Sequence, residues 1–262
     1  MDVLKIQGAK NEKRKLTMLT CYDAWTARLL AQTDLDIFLV GDSAAMVVHG
    51  FDTTLAATTE MMSLHTAAVR RGAPRAFLVA DMPFLSFRRG VNEALDCVDA
   101  LMKAGANAVK LEGVRGHEEI VESIVGSGIP VMGHLGLTPQ SVHALGGFRV
   151  QGREERAAEA LMRDARRLEE LGCFSLVLEC VPSLLAARVT TELRIPTLGI
   201  GAGADCDGQV LVLQDMLGMN SAFRPKFVRT FQDGEKSVRD CTQAFVNAVR
   251  AGSFPNASES YT

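Results

Sequence analysis

Seven short runs rich in Val, Leu, Ile and Ala, and a candidate eighth, alternate with amphipathic stretches along most of the chain. The runs cover residues 16–22, 37–41, 76–82, 108–113, 130–136, 174–180 and 196–201, with 209–213 as the eighth. They are near-continuous in apolar residues rather than alternating, as expected of parallel strands covered on both faces. Helical stretches are predicted over 23–33, 58–71, 117–125, 153–171, 182–193 and 238–251. In the stretch after the third run, Val91, Ala94, Leu95, Val98 and Met102 share one face; in 153–171, Ala157, Leu161, Ala165 and Leu168 do so. Seven or eight strand-helix units in 262 residues match a single (β/α)8 TIM barrel, an α/β fold, spanning residues 1–262 as one domain. A doubly wound open sheet is the competing arrangement.

Composition narrows the function classes. The 28 basic and 31 acidic side chains leave a formal charge of −3, without the basic excess of a dedicated nucleic-acid binder. No stretch approaches the roughly 18–20 apolar residues of a bilayer span, so no membrane partner is expected. Residues 1–15 are polar and lysine-rich, without a signal-peptide h-region, and read as a solvated lead-in. The six cysteines form neither a CxxC pair nor a zinc-ligand cluster, which fits a reducing, cytoplasmic setting.

Run after run ends in a polar or acidic residue. Asp23 follows the first, Asp42 and Ser43 the second, and Asp81 lies in the third. Lys110 and Glu112 close the fourth, His134 lies in the fifth, and Glu179 ends the sixth. In a parallel barrel these ends converge on the rim where barrel enzymes do chemistry. Some have structural alternatives. Asp23 reads first as a helix cap, Lys110 and Glu112 could form a buried ion pair on one strand face, and His134 alone reads as a core histidine. Glu179 has no cation within four residues and reads as a functional carboxylate. Two carboxylates 4 Å apart repel by roughly 4 kcal/mol at an effective dielectric near 20. Asp42, Asp81 and Glu112 on one rim therefore call for a proton, Lys110 or a divalent cation, and all-oxygen ligands suit Mg²⁺. Such an ion chelates a 2-oxo acid and polarises its carbonyl, leaving Glu179 to take the neighbouring proton.

The ordered motifs resemble the ketopantoate hydroxymethyltransferase family. They include Leu19-Thr20-Cys21-Tyr22-Asp23, Val40-Gly41-Asp42-Ser43, His65-Thr66-Ala67-Ala68-Val69 and Ala80-Asp81-Met82-Pro83-Phe84. Val109-Lys110-Leu111-Glu112-Gly113, Gly133-His134-Leu135-Gly136-Leu137-Thr138-Pro139-Gln140-Ser141-Val142 and Leu178-Glu179-Cys180-Val181-Pro182 continue the series. The resemblance implies a (β/α)8 barrel that moves a hydroxymethyl group from 5,10-methylenetetrahydrofolate to 3-methyl-2-oxobutanoate. It implies Mg²⁺ on Asp42 and Asp81, with Glu112 completing the site directly or through water. Asp42, Ser43, Asp81 and Lys110 would bind substrate, His134 would make a polar contact, and Glu179 would be the proton acceptor. Family members are cytoplasmic homo-oligomers, often decamers. The chain departs from the pattern at Ala44-Ala45, where Leu-Gly is expected, and at Ala56, where proline is expected. The first departure matters if that position needs left-handed backbone. A Mg²⁺-dependent lyase or mutase of the phosphoenolpyruvate mutase type, and a barrel retained only as a scaffold, are the alternative readings.

Overall fold

The computed structural model describes residues 1–220 and 225–261. It divides into two compact units, Met1–Val212 and a smaller one from Leu213 onward.

In the first unit eight parallel strands close into a barrel in sequence order, so the open-sheet alternative is excluded. They are β1 (Leu16–Thr20), β2 (Ile37–Val40), β3 (Phe77–Asp81), β4 (Ala108–Glu112), β5 (Val131–Gly136), β6 (Ser175–Glu179), β7 (Thr197–Ile200) and β8 (Gly208–Leu211). The helices of this unit are α1 (Val3–Asn11), α2 (Ala24–Leu30), α3 (Ala44–Val47), α4 (Thr59–Gly72), α5 (Val91–Lys103), α6 (Glu118–Gly126), α7 (Glu155–Glu170) and α8 (Ser183–Glu192). Strand positions alternate between two cores, as the pleat requires. Phe38, Val40, Leu78, Ala80, Val109, Leu111, Leu176 and Leu178 face outward, in the core shared with the helices. Met18, Ile37, Leu39, Phe77, Val79, Ala108, Met132, Val177 and Val210 face inward and fill the barrel. On α7 the buried face is Leu161, Met162, Ala165 and Leu168. Ala157, expected there, is exposed: it lies in the first turn of the helix, which starts at Glu155, and burial begins only at Leu161.

No helix separates β7 from β8. Residues 201–207 span at most about 25 Å when extended, enough to return along strands of about 13 Å, so the usual long crossover is unnecessary.

The lead-in is not a solvated tail. Residues 3–11 form α1, capped by Asp2, whose side chain accepts from the Lys5 amide. Ile6 and Ala9 are fully buried in the inner core. Lys10 Nζ donates to Asp207 at 2.7 Å and Arg14 to Asp36 at 2.8 Å. Asp36 also accepts from the Thr17 amide, and Asp207 from the Thr197 amide. Only two of the nine helical residues are buried, too few for an apolar period to be visible in the sequence, and the counter-charges are remote along the chain. The inner core therefore has a floor made by the first residues of the protein.

In the second unit, α9 (Leu213–Met216) is followed by α10 (Gly234–Arg250). Asp233 caps α10 by accepting from the Lys236 amide, and Phe245 meets Phe254 edge-on at 5.6 Å. The helix begins four residues before the predicted start at 238. No helix among the described residues is long and apolar enough to cross a membrane.

Ile6→Ala removes a fully buried side chain from the barrel floor and is expected to cost about 2–5 kcal/mol. Urea unfolding measures this; a loss below roughly 0.5 kcal/mol, the scale of a neutral surface change, would show that α1 does not close the barrel.

Candidate active site

The same alternation that fills the barrel with apolar side chains lower down turns polar at its C-terminal end. Two residues beyond inward-facing Val79, Ala108, Met132 and Val177 come Asp81, Lys110, His134 and Glu179, and Glu112 follows Lys110 by another two. All five therefore point into the barrel. With Asp42 and Ser43, which follow β2, they line a cavity of about 100 Å³. Asp42, Asp81, Lys110, Glu112 and His134 are each at most 5% exposed.

Register decides who pairs with whom. Asp81 lies opposite Lys110 on the adjoining strand, and Glu112 opposite His134. Neighbouring strands are about 4.8 Å apart, whereas residues two apart on one strand are about 6.6 Å apart. Lys110 Nζ accordingly meets Asp81 Oδ1 at 2.7 Å, and the Lys110–Glu112 pair considered from sequence gives way to it. His134 lies between two acids: Nδ1 is 3.5 Å from Glu112 Oε1, and Nε2 is 3.2 Å from Glu179 Oε2. Glu179 is the more open of these acids, with a side chain 17% exposed.

Asp42 comes in from the turn that follows β2. Its amide donates to Asp81 Oδ2 at 3.0 Å, and a Cβ on the preceding Gly41 would lie 2.8 Å from Ser43 Oγ. Gly136, at φ +95°, holds the opposite side: a Cβ there would overlap the Glu179 carbonyl. Ala44 and Ala45 lie buried in the short helix α3, and Ala45 is not in left-handed backbone. The departure from Leu-Gly therefore carries no backbone strain. Asp23, read first as a cap, does cap α2, accepting from the Thr26 amide at 2.8 Å.

Two polar residues join the site that the sequence did not single out. Gln140, in the 3-10 turn Pro139–Ser141, donates its amide N–H to Glu112 Oε2 at 3.0 Å and its side-chain Nε2 to Asp42 Oδ2 at 2.8 Å. It thereby ties two acids from different strands. Tyr22, buried after β1, places its hydroxyl 2.9 Å from Ser43 Oγ. Both lie inside the motifs that carry the resemblance, which was the available signal; neither has a charge to announce a role.

Electrostatics follow from this crowding. Burial, then the nearby Asp81 and Glu112 carboxylates, raise the Asp42 carboxyl well above the usual range, with Lys110 and Gln140 opposing. Burial acts to lower the Lys110 pKa, but Asp81, Asp42 and Glu112 outweigh it and hold the ammonium charged. For His134, burial and Lys110 act to lower the pKa, while Glu112 and Glu179 raise it further, to about 9. Four carboxylates thus face one ammonium and one imidazolium, leaving two negative charges uncompensated when all are ionised.

A closed parallel barrel with charged residues buried at the C-terminal ends of its strands, around a small cavity, is a barrel enzyme with its site in the usual place. Sequence comparison names the family: the chain belongs to the ketopantoate hydroxymethyltransferases, whose profile matches residues 1–257. It is 53% identical over 260 residues to the 3-methyl-2-oxobutanoate hydroxymethyltransferase of Bdellovibrio bacteriovorus, covering 99% of each chain. It is 49% identical over 257 residues to the Coxiella burnetii protein of that name, covering 98% of this chain and 97% of the other. Among solved structures it resembles a phosphonopyruvate hydrolase complexed with oxalate and Mg²⁺ (TM-score 0.64, 11% identity, 99% and 93% coverage). It also resembles a 2,3-dimethylmalate lyase (TM-score 0.63, 15% identity, 99% and 88% coverage). At those identities the structural likeness establishes the shared fold.

Lys110→Met leaves Asp81 buried without its cation and is expected to destabilise the fold by about 3–5 kcal/mol. Urea unfolding in the presence of a chelator measures it; an unchanged midpoint would show that the pair carries no such compensation.

Proposed function

We propose that this enzyme transfers a hydroxymethyl group from 5,10-methylenetetrahydrofolate to 3-methyl-2-oxobutanoate, forming ketopantoate. The relatives' shared name supports the product. The observation that carries the mechanism is the gathering of four carboxylates, two more than Lys110 and His134 can match when all are ionised, around one small cavity.

That excess fits a divalent cation, and the carboxylate oxygens of Asp42, Asp81 and Glu112 are hard donors suited to Mg²⁺. Among the described residues no three His, Cys, Asp or Glu side chains are grouped so as to hold a metal ion. Mg²⁺ usually takes only one or two carboxylates, with water and substrate filling its octahedron. Asp42 and Asp81 would hold it, with Glu112 directly or through water. When bound, Mg²⁺ supplies Lewis-acid polarisation of the substrate carbonyl.

The remaining work falls to the protein's own side chains. Lys110 and the Asp42-Ser43 turn receive the carboxylate of the oxo acid. Glu179, at the more open side of the cavity, accepts the proton from C3, next to the carbonyl. The electron pair left on C3 forms a bond to the one-carbon unit of the folate, water supplies the hydroxyl, and both C–N bonds to that carbon break. The C3 proton and the second water proton end on the two nitrogens of tetrahydrofolate, which departs. His134, cationic between Glu112 and Glu179, makes a polar contact. The protein acts as a cytoplasmic homo-oligomer, a decamer by family resemblance, without a nucleic-acid or membrane partner.

Glu179→Gln is expected to lower ketopantoate formation by about 10²–10⁴-fold, the usual worth of a positioned base. It should equally suppress folate-independent exchange of the C3 hydrogen with D₂O, followed by NMR. Wild-type exchange rates in the variant would remove Glu179 from the role of base.

Because the Asp42 carboxyl is raised, it holds its proton to higher pH than an ordinary carboxyl does, and a cation favours the ionised form. Mg²⁺ binding is therefore expected to release a proton and to tighten as pH rises through the range where Asp42 ionises. Calorimetry in buffers of different ionisation heat reports this directly. Buffer-independent heats and a flat affinity across that range would contradict it.

A further inference from the structure

Behind the substrate turn lies a closed ring of contacts that the reaction above does not use. Ser43 occupies the N-cap of α3, yet its hydroxyl makes no capping bond. It meets the Tyr22 hydroxyl instead, at 2.9 Å. The Tyr22 carbonyl, in turn, lies 2.6 Å from Nδ1 of His65 on α4. A carbonyl can only accept, so His65 carries its proton on Nδ1, and its Nε2 is an acceptor in the neutral ring. His49 Nε2 lies 2.8 Å from that atom and is therefore the donor. His49 closes the segment that Ser43 opens, so both ends of residues 43–49 are fastened to one support. The rings pack as the bonds require: Tyr22 and His65 edge-on at 6.2 Å, His49 and His65 edge-on at 5.1 Å.

We propose that His65 is a positioning residue for oxo-acid binding: it holds Tyr22, whose hydroxyl orients Ser43, while His49 fastens the far end of the same turn. This rests on the reading of Asp42-Ser43 as part of the carboxylate site. Ser43 has one hydroxyl proton. If its oxygen accepts from Tyr22, that proton is free to point into the cavity and meet a carboxylate. Burial pushes the Tyr22 phenol pKa up, which keeps it protonated as the donor. Without the ring the serine hydroxyl can rotate, and residues 43–49 lose their side-chain fastening at both ends, while Asp42 keeps its bonds to Asp81 and Gln140. The role runs through Tyr22 and Ser43; His65 itself does not line the cavity.

The test uses the full-length protein and four variants. His65→Ala and Tyr22→Phe are expected to raise KM for 3-methyl-2-oxobutanoate about 10-fold, the worth of one hydrogen bond to a charged group, with kcat within about threefold. His65→Asn places a side-chain N–H near the former Nδ1 and should restore most of the affinity. His49→Gln, which keeps a donor, should stay within about threefold of wild type. Amide hydrogen exchange over residues 41–50, read by mass spectrometry without substrate, should quicken in His65→Ala while the urea midpoint of the whole protein changes little. Unchanged KM and unchanged exchange in both His65→Ala and Tyr22→Phe would overturn the proposal. So would a His65→Asn variant as impaired as His65→Ala, because ring bulk rather than the bond would then be responsible. If wild-type protein fails to turn over the oxo acid, the reaction assigned above falls, and the amide exchange still decides whether the ring holds the turn.

Discussion

The pleat of a closed barrel leaves its inward-facing residues no exit to solvent except at the two ends. In this chain that constraint sets everything else. Strand positions that are apolar lower down become Asp81, Lys110, Glu112, His134 and Glu179 two or four residues further on, with the same inward direction. A shift of one residue in any strand would move its charge from the cavity into the packing between barrel and helices. Register then chooses the partners, Asp81 with Lys110 and Glu112 with His134, and these pairs are what make burial of the cluster tolerable. With every group ionised, compensation stops short of neutrality, and the cavity is left with unmatched negative charge.

Much of this was legible from the sequence because it depends on local order. Apolar runs locate strands, and a charge that interrupts the end of such a run can only lie at an end of the barrel. Asp23 as a cap and Glu179 as a cavity acid follow from that logic. What the sequence did not disclose depends on contacts between distant elements. Lys110 was readable against Glu112, two residues away, whereas its partner Asp81 is fixed by strand register. Gln140 carries no charge and no period, yet it bridges Asp42 and Glu112. The first fifteen residues look solvated because the acids that match Lys10 and Arg14, Asp207 and Asp36, are remote along the chain.

The structural resemblance to a phosphonopyruvate hydrolase and a 2,3-dimethylmalate lyase, at 15% identity or less, shows how little of a barrel's sequence is needed to keep its shape. Fold and activity therefore rest on different residues here. The fold rests on outward and inward apolar sets that many sequences can supply. The candidate site rests on a handful of strand-end positions, and on Gly136, where a methyl group would overlap the Glu179 carbonyl.

These two demands fall at opposite ends of the barrel. At the C-terminal end acids are buried together, and burial first, then the neighbouring carboxylates, push the Asp42 carboxyl well above its usual range. At the N-terminal end the acids are matched: Asp36 and Asp207 each accept from a backbone amide and a cationic side chain, and α1 seals the interior with Ile6 and Ala9. Filling the cavity with apolar side chains would relieve the first end and remove its chemistry. The fold instead carries buried charge at its rim above a floor whose acids are satisfied, by residues at the opposite end of the barrel. Stability substitutions at the floor and activity substitutions at the rim are far enough apart in the barrel to be expected to add rather than interact.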